Sequence, residues 1–180
     1  MRLGPDGWLA GARHVASPNC DARPAGARIS LLVLHSISLP PGKFGGDAVE
    51  RLFTNRLDAR AHPYFRDIAR LRVSAHLFVR RDGSLVQFVP LQLRAWHAGI
   101  SRWRGADRCN DFSVGVELEG CDDTAFADAQ YRCVIALART LAARLPLRAC
   151  AAHREVAPGR KTDPGTHFDW ARFYAGLAGL

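Results

Sequence analysis

The chain has 180 residues, 48% of them hydrophobic, and a formal net charge of +8 at pH 7. This length fits one domain with a substantial core, and no apolar run approaches the length of a membrane span. The basic residues are nearly all arginines scattered along the chain without a dense basic block, which disfavours a nucleic-acid partner.

The N-terminal segment, residues 1–28, is rich in turn-forming and polar residues, and we expect it to form an ordered arm on a core of about 29–180. Its first fifteen residues lack the apolar stretch of a secretory signal, which predicts a cytoplasmic protein. The five cysteines are odd in number and include no CxxC pair, so reduced thiols are expected.

The first predicted strand is the apolar run 29–34, which would deliver its last side chain, His35, to the edge of a sheet. Two prolines and three glycines then predict a long loop over 39–46. A helix is predicted from the N-cap Asp47 to Leu57, because its apolar residues form one stripe.

The middle of the chain predicts a hairpin and a further strand. Residues 75–80 and 85–89 flank an Asp-Gly turn, which is the pattern of a β-hairpin. Residues 113–119 alternate between apolar residues and small or acidic ones, so Glu117 and Glu119 share one face of a strand. That face would present both carboxylates to a cleft.

The last third predicts a helix over about 124–144, stopped by Pro146, and then a short apolar strand over 147–153. This strand ends on His153 and so repeats the arrangement at the first predicted strand. Aromatic residues at helical spacing predict a final helix over 168–177. The alternation of strands and helices predicts a single α/β domain with a central mixed β-sheet flanked by helices.

Three residues of this chain are candidate metal ligands: His35, His153 and Asp163. The last two are ten residues apart, around a cationic turn. Catalytic zinc takes three protein ligands and leaves a fourth position to water, so its ligands can come from distant strand ends. The spacing leaves two alternatives open, a core histidine at His35 and an ordinary turn carboxylate at Asp163.

Metal-assisted hydrolysis also needs a base and a stabiliser of negative charge. Glu117 is the preferred base because a carboxylate near activated water can take its proton, and Glu119 is its rival on the same face. Lys161, two residues from a candidate ligand, would stabilise an oxyanion. The alternative is that all three are solvated surface charges.

Six blocks of sequence carry a resemblance to one enzyme family: 17–24, 34–42, 74–83, 96–99, 114–120 and 153–165. They occur in order and cover nearly the whole chain, with a Pro-Pro-Gly loop and a Lys-Thr-Asp-Pro-Gly turn among them. On these blocks the chain resembles the AmpD-type cytoplasmic 1,6-anhydro-N-acetylmuramyl-L-alanine amidases of Gram-negative bacteria. These are zinc amidases related in fold to peptidoglycan recognition proteins.

The resemblance implies one zinc ion per chain, held by His35, His153 and Asp163. It implies Glu117 as the acid and base and Lys161 as the stabiliser of the tetrahedral intermediate, as the chemistry above also suggests.

The resemblance also implies a set of substrate contacts. Arg72 and Arg108 match positions that hold the peptide carboxylates of the substrate, which suits a guanidinium group. Ser36, often asparagine in the family, and His97 would line the substrate pocket, while His76 and His97 are not metal ligands. His167 is a further departure from the common pattern beside the metal-binding turn.

The implied reaction is hydrolysis of the amide between the lactyl group of 1,6-anhydro-N-acetylmuramic acid and the L-alanine of its stem peptide, in peptidoglycan recycling. In many bacteria this activity also lowers the signal for β-lactamase induction. We expect a cytoplasmic monomer that binds an anhydro-muropeptide and neither nucleic acid nor membrane. The alternatives are an amidase acting on intact peptidoglycan, a non-catalytic muropeptide-binding module and, third, a nucleic-acid binder.

Overall fold

The structure is a computed structural model that describes residues 1–178. Its strands are β1 (Arg2–Leu3), β2 (Leu9–Ala10), β3 (Arg13–His14), β4 (Cys20–Ala22), β5 (Leu31–Ile37), β6 (Leu77–Val79), β7 (Leu85–Gln87), β8 (Leu93–Ala95), β9 (Arg102–Trp103), β10 (Ala106–Asp107), β11 (Ser113–Glu119) and β12 (Ala149–Ala152). Its helices are α1 (Ala48–Phe53), α2 (Phe65–Ile68), α3 (Asp128–Ala142), α4 (His153–Val156) and α5 (Trp170–Leu177). Within this part of the chain, no helix is both long and apolar enough to cross a membrane.

Six strands form the central mixed sheet in the order β12-β5-β11-β6-β7-β3. The strands β12, β5, β11 and β6 run parallel, and β7 is antiparallel to β6. The pairing of β5 with β11 places Glu117 beside His35. Side chains at paired positions point to the same face, so these two residues share one side of the sheet.

The two faces of the sheet pack against different parts of the chain. On one face, Leu32 and Leu34 of β5 pack in the core cluster that includes residues of α3 and α5. On the other face, Leu31 and Val33 pack against Ala98, Cys109 and Val156. His35 continues this second face because side chains alternate along a strand, so the candidate site lies on the side opposite α3.

The structure confirms the mixed α/β architecture, the hairpin of β6 and β7, and the final helix. Part of the N-terminal arm also takes part in β-structure, since β3 pairs with β7 in the main sheet and β4 pairs with β8. The sequence patterns did not reveal α2 or the three smaller two-stranded sheets.

Several predicted boundaries were wrong, and four of these differences affect the ends of β5, α1, α3 and β12. The strand β5 continues two residues beyond His35, which therefore lies inside the strand. The first helix ends at Phe53 and not Leu57, because Asn55 adopts the left-handed conformation with φ 60°. The helix α3 begins at Asp128, where the Gln130 side chain accepts a hydrogen bond from the backbone N–H of Ala127.

The fourth correction concerns His153, which begins the helix α4 and does not end a strand. The Glu155 side chain accepts a hydrogen bond from the backbone N–H of Ala152 at 2.6 Å. This bond satisfies a donor at the start of the helix, as a capping glutamate does three residues into a helix. The chain therefore leaves the sheet as a helix that begins at His153.

Candidate metal centre and active-site cleft

A cleft of about 560 Å³ lies over the sheet face that carries His35 and Glu117. One part of its lining is apolar and comes mostly from α1, α2 and the loops beside them, including Leu39, Leu52, Phe53, Ile68, Leu71 and Val73. The other part is polar and comprises His97, Glu117, His153, Arg160, Lys161 and Asp163. A mostly apolar wall with a few convergent polar groups is typical of a small-molecule site.

The three candidate metal ligands converge in the polar part. The Nδ1 atoms of His35 and His153 are 2.9 Å apart, and Asp163 Oδ2 lies 3.2 Å from the first and 3.0 Å from the second. Zinc bonds of about 2.0–2.1 Å in a tetrahedral arrangement separate the ligand atoms by roughly 3.3 Å. The spacing of the three atoms therefore fits a zinc ion.

Local structure explains this convergence. Pairing of β12 with β5 places Ala152 beside Leu34, so the next residue, His153, enters the site at the start of α4. The following turn folds back on this helix, where the backbone N–H of Arg154 donates to the carbonyl of Asp163 at 3.1 Å. The sheet thus positions His35 directly and His153 through the strand that precedes it, while the turn positions Asp163.

The protonation of these groups also suits a metal. Burial lowers the pKa of His35 to about 4, so its imidazole is neutral at pH 7. Burial opposes the ionisation of Asp163, but its close contacts with the imidazoles of His153 and His35 outweigh this effect and hold the pKa of the carboxyl far below its usual range. The Nε2 atom of His153 lies 3.3 Å from the carbonyl oxygen of Ala98, so in the neutral tautomer that donates to this oxygen the lone pair is on Nδ1. Metals bind the deprotonated forms of such groups.

Glu117 presents an unpaired carboxyl oxygen at this site. Within residues 1–178, its Oε2 atom is buried and has no hydrogen-bond partner. Burial, followed by the negative charge of Asp163, raises the pKa of Glu117 well above its usual range, and Lys161 opposes the shift. A carboxyl group with a raised pKa is suited to proton transfer near neutral pH.

Glu119, the alternative candidate base, is already engaged in other hydrogen bonds. Its Oε1 accepts a hydrogen bond from the Gly45 N–H at 2.5 Å, and its Oε2 accepts one from the Arg81 N–H at 2.9 Å. It therefore fastens the glycine-rich loop and the hairpin turn to β11. The geometry favours Glu117 over Glu119 as the base.

The other predicted site residues divide into two groups. Lys161, Ser36 and His97 line the cleft. Arg72 and Arg108 are exposed and lie outside this lining. Arg72 donates to the Asn55 side chain at 3.4 Å, and Arg108 forms an ion pair with Asp111 at 3.1 Å. Their role in binding peptide carboxylates stays a prediction.

The sequence patterns did not single out three residues around the candidate metal ligands: Arg160, Ser113 and Gly115. Arg160 lines the cleft and donates to the carbonyls of Ala98 and Ile100, both at 2.6 Å. Ser113 contacts His97 at 3.0 Å. A Cβ atom on Gly115 would lie 2.4 Å from the His97 ring. A glycine inside a strand signals such a close approach, and the sequence offered that signal.

Comparison with known proteins gives three relevant similarities. The protein family described as N-acetylmuramoyl-L-alanine amidase matches residues 25–166. The 1,6-anhydro-N-acetylmuramyl-L-alanine amidase AmpD of Citrobacter freundii is 56% identical over 172 residues, covering 94% of this chain and 92% of the relative. A crystal structure of a selenomethionine derivative of AmpD superimposes with a TM-score of 0.96 at 55% identity, over 98% of this chain and 99% of that one.

A solved complex adds a ligand to this comparison. The N-acetylmuramyl-L-alanine amidase AmiD from E. coli, bound to the substrate anhydro-N-acetylmuramic acid-L-Ala-D-γ-Glu-L-Lys, superimposes with a TM-score of 0.62 at 31% identity. The match covers 89% of this chain and 62% of AmiD.

Proposed function

Because the chain belongs to the N-acetylmuramoyl-L-alanine amidase family, we propose that it hydrolyses anhydro-muropeptides in peptidoglycan recycling. The bond cleaved is the amide between the lactyl group of 1,6-anhydro-N-acetylmuramic acid and the L-alanine of the stem peptide. One observation carries the proposal: three donor atoms converge beside the unpaired carboxyl of Glu117, at a cleft lined by Glu117, His153 and Asp163.

We assign one zinc ion to His35, His153 and Asp163, whose ligand atoms all lie within 4.8 Å of one another. When bound, zinc polarises the scissile carbonyl and acidifies a water molecule. All three ligand side chains come from the same end of the parallel strands or from the turn beside it.

Glu117 performs the proton transfers. Its buried Oε2 has no competing hydrogen-bond donor among the described residues, so it is free to take a proton from the attacking water. The same carboxyl then passes this proton to the nitrogen of the leaving L-alanine as the C–N bond breaks. The products are a free lactyl carboxylate and a peptide with a free amino group. Such a group contributes about 10²- to 10⁴-fold to the rate.

Lys161 supports the reaction electrostatically. It lines the same cleft, and its charge already acts on Glu117. Its ammonium group stabilises the negative charge that develops on the carbonyl oxygen during attack. A well-placed donor of this kind contributes about 3–4 kcal/mol.

The cleft also accommodates the two chemically different parts of a muropeptide. Its apolar wall offers surface to the anhydro-sugar, while Ser36 offers a hydrogen bond and the His97 ring lines the pocket near the candidate metal ligands. Arg72 and Arg108 are assigned to the peptide carboxylates, since a guanidinium group can bind a carboxylate through two parallel hydrogen bonds. We place this activity in the cytoplasm and expect a monomer to carry it out.

The proposal is tested by turnover on soluble anhydro-muropeptide beside intact peptidoglycan. Zinc-loaded protein is expected to cleave the soluble fragment and to lose this activity on chelation. A Glu117→Ala variant is expected to fall by at least about 100-fold. Glu119→Gln, a change in the other acid on the same strand, is the matched control and should retain most of the activity.

Two results would contradict this assignment. Preferential cleavage of intact peptidoglycan would indicate a lytic amidase. Zinc binding without turnover of either substrate would leave a muropeptide-binding module.

A further inference from the structure

A chain of hydrogen bonds leads from the protein core to the metal ligand His35. It begins at Ser113, whose hydroxyl lies 2.6 Å from the carbonyl oxygen of Cys109. A carbonyl oxygen only accepts hydrogen bonds, so Ser113 donates its proton there. The Oγ atom of Ser113 is also 3.0 Å from His97 Nε2 and must accept in this second contact. His97 therefore carries its proton on Nε2.

The hydrogen bonds of His97 also determine which nitrogen of His35 carries the proton. With its proton on Nε2, a neutral His97 ring can only accept at Nδ1. This atom lies 2.9 Å from His35 Nε2, so His35 is the donor. The tautomer of His35 is thereby fixed, with the proton on Nε2 and a lone pair on Nδ1. That lone pair faces Asp163 and His153.

Ala98, the residue after His97, orients the imidazole of His153 in the same way. The carbonyl of Ala98 accepts from His153 Nε2 at 3.3 Å, so both histidine ligands direct Nδ1 toward the same point. Consecutive residues, His97 and Ala98, thus support both rings. The Asn110 side chain accepts hydrogen bonds from both of their backbone N–H groups, at 3.3 and 2.8 Å.

Packing leaves the His97 ring little freedom. The partners of the two His97 nitrogens are shielded from solvent, because Ser113 is fully buried and His35 is 1% exposed. The ring lies against Gly115 of β11, where any side chain would collide with it.

We propose that His97 and Ser113 are positioning residues that hold His35 in the tautomer required for metal binding. This inference rests on the proposed zinc site. Without the relay, His35 would also populate the tautomer that carries a proton on Nδ1, directed at the other ligands. Outer-shell partners of metal-binding histidines are commonly worth about 10- to 100-fold in metal affinity.

The first experiment uses zinc-free protein labelled with ¹⁵N at histidine. Long-range ¹H–¹⁵N correlation spectra identify which ring nitrogen carries the proton. In the wild type, His35 is expected to be protonated on Nε2. The Ser113→Ala variant removes the acceptor for His97 Nε2, so His97 gains the freedom to place its proton on Nδ1. His35 is then expected to shift toward the form protonated on Nδ1.

The second experiment measures zinc affinity by competition with a chromogenic chelator. His97→Phe keeps an aromatic ring but removes both nitrogens, and it is expected to weaken binding by about 10- to 100-fold. Ser113→Ala should weaken it less, because the His97 ring remains. His14→Phe, at an exposed histidine of β3, is the control for nonspecific binding and should leave the affinity unchanged.

The two measurements separate the two proposals. An unchanged His35 tautomer in Ser113→Ala, together with wild-type zinc affinity in that variant, would overturn the relay. Failure of the wild type to bind zinc would overturn the proposed metal chemistry, whereas the spectra need no metal and still test the hydrogen bonds. Ser113→Ala deletes one hydroxyl, so it keeps the test available if His97→Phe does not fold.

Discussion

The substitution Gly115→Ala is expected to damage the site by displacing His97. A Cβ atom at this position would lie 2.4 Å from Cγ, 2.6 Å from Nδ1 and 2.7 Å from Cδ2 of the His97 ring. Carbon atoms in contact prefer separations of about 3.5–4.0 Å, so the ring or the strand must move by roughly 1 Å. A movement of that size breaks the hydrogen bonds of His97 to His35 and Ser113, which are 2.9 and 3.0 Å long.

The free-energy cost of the clash in Gly115→Ala can be separated from other effects of the new methyl group. Overpacking in a core typically costs about 1–3 kcal/mol of unfolding free energy, and we expect Gly115→Ala to fall in this range. Urea unfolding of the zinc-free protein measures it. His97→Ala removes the obstructing ring, so the cost of Gly115→Ala should shrink when the two changes are combined. An equal cost in both backgrounds would refute the steric argument.

Three further outcomes are expected. Burial, and then the charge of Arg23, lowers the pKa of His76 to about 3, well below the value near 6.5 of an unfolded chain. The contribution of the neutral His76 to the free energy of unfolding is therefore complete above pH 6.5. It is lost as the pH falls toward 3, by up to about 1.4 kcal/mol per pH unit. His76→Gln should therefore make the urea midpoint less dependent on pH in this range. Glu119→Ala should speed amide hydrogen exchange at Gly45 and Arg81, whereas unchanged exchange would refute the anchoring role. Lys161→Ala should lower kcat by about 10²- to 10³-fold with zinc affinity retained, and an unaltered kcat would remove it from the mechanism.

The convergence of the three candidate metal ligands could be predicted from the sequence better than their surroundings. His35, His153 and Asp163 are ligand-type residues that follow or end apolar runs or occupy a turn, and the parallel sheet brings such positions to one edge. The contacts of His97 with His35 join residues 62 positions apart in the chain. No local pattern encodes such a pairing, because it depends on the path of the intervening chain. The relay therefore became visible only in the folded structure.

The choice between Glu117 and Glu119 as the candidate base also depends on tertiary contacts that no local pattern encodes. Alternation along β11 correctly predicts that Glu117 and Glu119 share a face, but it gives both the same status. Tertiary structure distinguishes them, since the glycine-rich loop and the hairpin turn use both oxygens of Glu119. The helical start at His153 is a different case. A glutamate three residues after Ala152 is the sequence signal for this helix start, but the apolar run before His153 favours a strand that includes it.

The site divides its components between a rigid support and a turn. His35 and Glu117 are paired positions on adjacent central strands, so the register of the sheet fixes the distance between a metal ligand and the proposed base. Asp163 and Lys161 belong to one turn, which packs closely on the segment after β11: a Cβ atom on Gly165 would lie 2.5 Å from Asp122 Cα. Catalytic groups on regular elements are held more precisely than groups on loops. The residue proposed to transfer protons is thus on the strand, and the residue proposed to supply charge is on the turn.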